Sequence, residues 1–195
     1  MMAERWAVSP GGQLHIHSAR TPSAIPFDLQ PVLKGELLEL RPLRAVDFDD
    51  LFAVAADPLI WEQHPIKDRY QEKQFRTFFR DALESGGALI AIDRRDRRII
   101  GSSRFYGYDP KGSEIEIGWT FLARSRWGGR HNREMKRLML HHAFGFVDRV
   151  VFLVGLQNLR SQRAVEKIGG VRIGSRPDAD GRESIVYEVI ATAHR

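Results

Sequence analysis

The chain has 195 residues, of which 43% are hydrophobic and 28% are charged, and this composition is typical of one globular domain. The sequence contains no cysteine, which excludes disulfides, thiolate nucleophiles and cysteine-ligated zinc. Its 30 lysines and arginines exceed its 25 aspartates and glutamates, and this mild basic excess suits an anionic small ligand without requiring nucleic acid.

The first 34 residues differ from the rest of the chain, because glycines and prolines interrupt any hydrophobic period there. We therefore predict an N-terminal extension over residues 1–34, extended or partly disordered, and a folded domain over residues 35–195. His15 and His17 stand in this extension without a carboxylate cluster, so no metal site is predicted. No segment has the apolar core of a secretory signal or the roughly 20 apolar residues of a membrane helix, which predicts a cytoplasmic protein.

The first half of the domain predicts a strand, two helices and a hairpin. The strand is GELLELRPL, over residues 35–43. Apolar residues at helical spacing predict the helices, and they are Phe48, Leu51, Phe52 and Ala55, then Phe75, Phe78, Phe79 and Ala82. The segment WEQHP between these helices is predicted to be a loop. The apolar run ALIAI and the segment RIIGSSRFY, joined by a polar turn, predict an antiparallel hairpin.

The next strand, EIEIGWTF, alternates between two kinds of side chain. The alternation predicts one apolar face, which contains Ile115, Ile117, Trp119 and Phe121. A long helix over residues 130–147 and the strand RVVFLV follow, and this order predicts a parallel crossover. A shorter helix and two final strands complete the prediction of an α/β fold, a single mixed sheet with helices on both faces.

The segment SRWGGRHNRE, residues 125–134, lies between a predicted strand and a predicted helix. Adjacent glycines let backbone N–H groups approach a ligand, and a helix N-terminus provides unpaired donors with a partial positive charge. Such a site suits a pyrophosphate, and four arginines add charge, namely Arg124, Arg126, Arg130 and Arg133. A plain glycine turn with solvated arginines explains the same residues, so both interpretations stay open. No P-loop or dinucleotide fingerprint is present.

Three segments resemble the GNAT superfamily of N-acetyltransferases. They are the strand EIGWTFL, the loop and helix WGGRHNREMK, and the strand and helix VFLVGLQNLRSQRAVEKIG. The sequence is similar above all to the Rim-type branch, which acetylates ribosomal-protein N-termini and small amines, and the resemblance covers residues 35–195. It implies a mostly antiparallel sheet with a central parallel pair that splays apart around acetyl-CoA. It also implies acetyl transfer to a primary amine by direct attack on the thioester, without a metal.

The resemblance further implies which residues contact acetyl-CoA. The strand over residues 118–122 would pair with the pantetheine arm through its backbone, including Phe121 and Leu122, and Asn158 would cap the last helix and contact the same arm. The residues implied at the pyrophosphate are Trp127, Gly128, Gly129, Arg130, His131, Asn132 and Arg133. Arg130 replaces the glycine of the superfamily pattern Q/R-x-x-G-x-G/A, so its side chain either pairs with a phosphate or weakens the site.

Acetylation of an amine requires a base for the ammonium, a donor for the oxyanion and a proton or water for the thiolate. Glu116 is our candidate base, acting directly or through water, because alternation places it beside Gly118 on the polar face of its strand. A solvated or salt-bridged carboxylate is the alternative interpretation, and Glu114 shares the same face. A backbone N–H of this strand would be the oxyanion donor.

Ser161 is the candidate donor to the thiolate, because Val165 stands where many relatives have a tyrosine. A first-turn hydroxyl that bonds to nearby backbone is its alternative interpretation. The resemblance places Trp61 and His64 at the border of the acceptor pocket, although a loop tryptophan more often serves packing than recognition. A peptide N-terminus, an amino acid, a polyamine and an aminoglycoside are all compatible acceptors.

Two other functions compete with the acetyltransferase hypothesis. A catalytically silent acyl-CoA-binding module is motivated by Arg130 and by Val165. A basic nucleic-acid binder is motivated by the many arginines, but their scatter among acidic residues does not favour it. The resemblance is compatible with a homodimer, and nothing indicates a membrane partner.

Overall fold

The computed structural model describes residues 26–191, in which eight strands form one sheet. The strands are β1 (Leu33–Lys34), β2 (Leu38–Pro42), β3 (Ala88–Asp93), β4 (Ile99–Asp109), β5 (Glu114–Leu122), β6 (Arg149–Gly155), β7 (Val171–Pro177) and β8 (Glu183–Ile190). The helices are α1 (Phe48–Ala55), α2 (Pro58–Trp61), α3 (Glu72–Glu84), α4 (Arg130–Ala143) and α5 (Leu159–Glu166), and two 3-10 turns cover Ala45–Asp47 and Arg124–Arg126.

The strand order across the sheet is β1-β2-β3-β4-β5-β6-β8-β7. Neighbouring strands are antiparallel except β5 and β6, which are parallel and are connected through α4. This connection is the crossover that the strand–helix–strand order predicts. The predicted antiparallel hairpin is also confirmed, as β3 and β4.

Hydrophobic cores cover both faces of the sheet. Alternate residues of β3 enter different cores, with Leu89 and Ala91 in one and Ile90 and Ile92 in the other. The first core contains α4 and α5, and the second contains α1 and α3. The predicted fold class, a single mixed and mostly antiparallel sheet with helices on both faces, is therefore confirmed.

The alternation predicted for β5 ends at Trp119. This residue has a φ of +50°, and the pairing with β4 shifts so that two residues of β5 stand opposite Ser103 alone. As a result, Ile115 and Ile117 enter the first core, whereas Phe121 enters the second. The prediction that these residues share one face is wrong, because a β-bulge reverses the orientation of every side chain that follows.

A short helix also replaces part of the predicted WEQHP loop. Asp57 caps α2 by accepting the N–H of Leu59 at 3.1 Å, and Pro58 occupies the first helical position, where its missing N–H is not needed. The pair Asp57-Pro58 therefore begins one helix as well as ending the previous one.

The buried carboxylate of Glu134 anchors α4 to the start of the sheet. It accepts three backbone N–H groups, from Glu36 at 2.8 Å, Leu37 at 2.8 Å and Leu38 at 3.0 Å. A Cβ at Gly35 would lie 2.5 Å from Cδ of Glu134, so only glycine fits at that position. These contacts fix where the N-terminal end of α4 lies.

We expect Glu134→Gln to lower the free energy of unfolding by about 2 kcal/mol, because one amide oxygen cannot replace a carboxylate that accepts three N–H groups. Urea unfolding followed by circular dichroism measures this change. Glu72→Gln, at an exposed position in α3, is the matched control and should change stability by less than about 0.5 kcal/mol. Equal stabilities for the two variants would contradict this role of Glu134.

Residues 26–34, the last part of the predicted extension, include a packed segment. Phe27 is buried in the first core, with its ring centroid 5.2 Å from that of Phe105. The earlier part of the extension, including His15 and His17, lies outside the described residues. The boundary between extension and domain therefore stays a prediction.

Candidate active site

β5 and β6 pair with each other over three residues only, and the last of these pairs joins Glu116 to Val151. Beyond this point β5 continues as residues 117–122, which bond to β4, and β6 continues as residues 152–155, which bond to β8. The facing edges of the two strands therefore have no strand partner. We call the space between them the V-shaped gap, and Glu116 lies at its vertex.

The bulge at Trp119 lies on the edge of this gap. A positive φ is unfavourable for a bulky residue and persists where packing enforces it. The Trp119 ring is held by the guanidinium of Arg104, 4.5 Å from the ring centroid, and by the ring of Tyr106, 5.1 Å away. The bulge thus changes the direction of the β5 backbone beside the gap.

Gly129 precedes the first turn of α4, and no side chain caps this helix. Among the described residues, no hydrogen bond uses the backbone N–H groups of residues 128–132. Gly128 has a φ of +67°, and a Cβ placed on it would meet nothing within 4 Å. We call residues 128–132 the anion cradle, because free N–H donors and open approach at a helix N-terminus suit a phosphate group.

The arginines around the anion cradle divide into two kinds. Arg124 forms an ion pair with Asp57, and Arg126 lies 2.9 Å from the carboxylate of Asp93. Arg130 and Arg133 are exposed and form no ion pair within residues 26–191. Of the four arginines expected to add charge, Arg124 and Arg126 are therefore held by carboxylates from other elements, and Arg130 and Arg133 are left free of ion pairs within residues 26–191.

The other polar side chains of the loop support its shape. The ring of His131 lies 3.3 Å from the carboxylate of Asp93. Trp127 donates its indole N–H to the carbonyl of Leu122 at 2.9 Å, and the guanidinium of Arg160 stacks over its ring at 4.0 Å. Trp127 therefore connects the end of β5 to α5, which places the cradle at one side of the gap.

The N-terminus of α5 follows the end of β6. The Asn158 side chain accepts the N–H of Ser161 at 3.2 Å, so the predicted helix cap is confirmed. The Ser161 hydroxyl is half-buried and makes no hydrogen bond to any described residue. The structure thus does not show the backbone bond that was its alternative interpretation.

Glu116 lies on the face of the sheet opposite α4. Its carboxylate forms no ion pair with a described residue, and a Cβ at Gly118 would be 2.8 Å from its Oε1 atom. Burial raises the pKa of Glu116 to about 7. Glu114 differs, because it forms ion pairs with Arg149 at 2.9 Å and Arg176 at 3.3 Å. The salt-bridged interpretation therefore holds for Glu114 and not for Glu116.

Two cavities open on this face of the sheet. The smaller cavity has a volume of about 260 Å³ and includes Glu116 in its wall. The larger cavity, of about 480 Å³, lies between α3, β4 and the β7–β8 turn, and its inner wall includes Arg69 and Arg104. Tyr106 and Ala179 line both cavities, so the two adjoin.

Trp61 and His64, the candidate acceptor contacts, lie behind the larger cavity. Trp61 is buried in the second core and donates its indole N–H to the carbonyl of Ala55 at 2.7 Å. His64 Nε2 lies 3.0 Å from the guanidinium of Arg69. Neither residue lines the cavity, but Arg69, which does, contacts both.

Lys136 is a buried cationic side chain that the sequence patterns did not single out. It projects from α4 toward the sheet, and its Nζ donates to the hydroxyls of Ser103, at 3.2 Å, and Thr120. Its Nζ also lies 5.4 Å from the ring centroid of Phe152, the first residue of β6 beyond the pairing with β5. Burial lowers the pKa of Lys136 to about 7. The sequence feature that could have identified Lys136 is the presence of a lysine among the apolar residues of an amphipathic helix.

Within residues 26–191, no helix is long and apolar enough to cross a membrane. The same part of the chain holds no group of three or more His, Asp or Glu side chains that could bind a metal ion.

Residues 38–171 match the family model described as an acetyltransferase (GNAT) domain. A search of curated proteins finds no match to the chain. Among solved structures, a candidate acetyltransferase from T. thermophilus is 29% identical, with a TM-score of 0.67, over 83% of this chain and 89% of that chain.

Two more distant structures share the fold. A GNAT-family candidate from Chromobacterium violaceum is 20% identical, with a TM-score of 0.74, over 95% of this chain and 97% of that chain. Mycobacterium smegmatis RimJ in complex with CoA-disulfide is 19% identical, with a TM-score of 0.62, over 84% of this chain and 87% of that chain. At such identities the similarity establishes the fold alone.

Proposed function

The chain belongs to the GNAT acetyltransferase family, and on that premise we propose that it transfers the acetyl group of acetyl-CoA to a primary amine. The observation that supports this best is the V-shaped gap. It has the anion cradle at one side and the half-buried carboxylate of Glu116 at its vertex. A thioester in the gap and an amine in the adjoining cavities would approach each other from opposite sides of the sheet.

We propose that backbone groups make the main contacts with acetyl-CoA. The pyrophosphate would accept N–H groups of residues 128–132, with the mobile charges of Arg130 and Arg133 beside it. The pantetheine amides would pair with the open edge of β5, over residues 118–122, which includes Phe121 and Leu122. Asn158 lies at the opposite edge, after the end of β6.

In the proposed reaction, Glu116 takes a proton from the substrate ammonium, directly or through one water. The amine nitrogen then attacks the thioester carbonyl carbon, and a backbone N–H of the open β5 edge stabilises the oxyanion. The C–S bond breaks as the C–N bond is completed. The thiolate gains a proton from the Ser161 hydroxyl or from water, and the nitrogen loses its second proton to solvent or to Ser161.

The catalytically silent module was motivated by Arg130 and Val165. Arg130 is exposed at the first turn of α4 and forms no ion pair with a described residue. Val165 is buried in the first core, and a Cβ on Gly170 would lie 2.4 Å from it, so a tyrosine would not fit there without rearrangement. These placements favour an acetyltransferase that does not use a tyrosine at this position.

A thiol-release assay tests the proposed function. Purified protein is supplied with acetyl-CoA and a panel of N-terminal peptides, amino acids and polyamines, and free CoA is measured with a thiol reagent. We expect amine-dependent thiol release together with a mass increase of the amine by one acetyl group. Absence of CoA binding at millimolar concentration would overturn the proposal.

Arg130→Ala should weaken CoA binding about three- to tenfold at low salt, because an exposed charge near a phosphate contributes roughly 1 kcal/mol. The loss should shrink as salt screens the interaction. Titration calorimetry with CoA at two ionic strengths measures both effects. Arg137→Ala, at an exposed position further along α4, is the control and should bind CoA normally. Tighter binding by Arg130→Ala would show that the side chain obstructs the cradle.

A further inference from the structure

The larger cavity contains two buried arginines that form no ion pair with any described residue. Arg104 and Arg69 are only 5% and 7% exposed. Among the described residues the guanidinium of Arg104 makes no hydrogen bond or ion pair, and its Nε and Nη2 atoms are both buried without a partner. The guanidinium of Arg69 has one polar contact in the same part of the chain, with His64 Nε2 at 3.0 Å. A buried cation without an anion is unfavourable unless a ligand supplies one.

Aromatic rings hold both guanidinium groups in place. The guanidinium carbon of Arg104 lies 4.5 Å from the ring centroid of Trp119, and that of Arg69 lies 4.8 Å from the ring centroid of Phe78. Phe78 is also within 5.9 Å of the Arg104 guanidinium, so it stands between the two arginines. Stacked guanidinium groups are already oriented for hydrogen bonding before a ligand arrives.

The acidic residues of the larger cavity lie at its rim. Asp81, Glu84 and Asp180 line the cavity, and their side chains are 54%, 70% and 49% exposed. None of them forms an ion pair with Arg69 or Arg104. The cavity therefore has buried positive charge at its inner wall and solvated negative charge at its mouth.

We propose that the larger cavity binds the carboxylate of a small acceptor that carries both a primary amine and a carboxylate, as an α-amino acid does. The carboxylate would accept hydrogen bonds from Arg104 and Arg69, and the amine would point toward Glu116 in the adjoining cavity. The inference rests on the proposed function, since the amine it describes is the acetyl acceptor.

The volume and the charge of the larger cavity limit which acceptors it can bind. A volume of about 480 Å³ suits a small molecule. A polyamine would bring further positive charge against two unpaired arginines, which is unfavourable. A zwitterion instead places its carboxylate on the arginines and leaves its ammonium near Glu116 and the acidic rim.

The test compares α-amino acids with their α-carboxamides in the thiol-release assay. We expect kcat/KM for the carboxylate form to be at least about tenfold higher, although the carboxamide has the more easily deprotonated amine. Arg104→Gln should lower kcat/KM for the carboxylate form about 30-fold and change that of the carboxamide by less than about threefold. Arg98→Gln, an exposed arginine of the β3–β4 turn, is the matched control and should change neither.

A binding measurement makes the test independent of turnover. Calorimetry with an N-acetylated amino acid should give a Kd at least about tenfold lower than with its carboxamide, and Arg104→Gln should abolish the difference. Equal Kd values for the N-acetylated amino acid and its carboxamide with the wild-type protein would overturn the inference.

The outcomes separate this inference from the proposed function. Thiol release that is equally fast with carboxylates and carboxamides would overturn the carboxylate site and leave acetyl transfer intact. Transfer to peptides alone, with no binding of the N-acetylated amino acid, would also overturn it. Failure of CoA to bind would overturn the acetyltransferase proposal, while the binding of the N-acetylated amino acid would still report on Arg104.

Discussion

Glu116→Gln lowers kcat/KM for amine acetylation about 100-fold at pH 7.5, if Glu116 removes the ammonium proton. An amide has nearly the same shape as the carboxylate but cannot accept this proton. Steady-state thiol release with the best acceptor measures the loss. Glu114→Gln is the matched comparison on the same strand face, and we expect less than about a threefold loss, because ion pairs with Arg149 and Arg176 already occupy that carboxylate.

The pH profile gives a second readout of the same role. A base works only when it is ionised, and burial raises the pKa of Glu116 to about 7. The wild-type kcat/KM should therefore rise as the pH increases through about 7, and the kcat/KM of Glu116→Gln should not show this rise. An unchanged rate and profile in the variant would assign the proton to water or to another group. Absence of acetylation with every amine tested would instead revive the catalytically silent module.

Lys136→Met raises the free energy of unfolding by roughly 3 kcal/mol at pH 6 and by much less near pH 10. Burial lowers the pKa of Lys136 from 10.5 to about 7, so between these values the unfolded chain binds one more proton than the folded protein does. The contribution of Lys136 to the stability of the wild-type protein therefore rises with pH between about 7 and 10.5. Methionine fills the same space without a charge. The variant also loses the two hydrogen bonds that Lys136 donates to hydroxyls, and this loss offsets part of the gain in stability.

Urea unfolding at pH 6 and at pH 10 measures this effect. Lys167→Met, at an exposed position after α5, is the matched control and should show no such pH dependence. Equal wild-type stability at pH 6 and pH 10, after subtraction of the control, would mean that Lys136 stays charged throughout. Its buried position beside Thr120 and Phe152 would then require a bound anion or water.

The larger elements of the fold could be predicted because their patterns are local. All four apolar residues that predicted α3 are buried, since an amphipathic helix shows its buried face in a repeat of 3.6 residues. The bulge at Trp119 could not be predicted, because it depends on how β4 pairs with β5. The start of α2 was missed because Asp57-Pro58 fits both a helix end and a helix start.

Some features of the candidate site could likewise be predicted from local sequence, and others could not. The glycines and the helix start of the anion cradle follow from adjacent residues, so the sequence indicates them. The pairing of Arg124 and Arg126 depends on Asp57 and Asp93, which come from other elements, and no local pattern shows it. The unpaired state of Arg104 is also a tertiary property, because its strand sequence alone does not reveal which cavity it faces.

A crystal structure of the protein with CoA would show whether the V-shaped gap and the anion cradle bind the cosubstrate together. We expect the pantetheine between residues 118–122 of β5 and residues 152–155 of β6, with the pyrophosphate on the N–H groups of residues 128–132. CoA bound elsewhere, or a gap closed by side chains in a crystal grown with millimolar CoA, would contradict it.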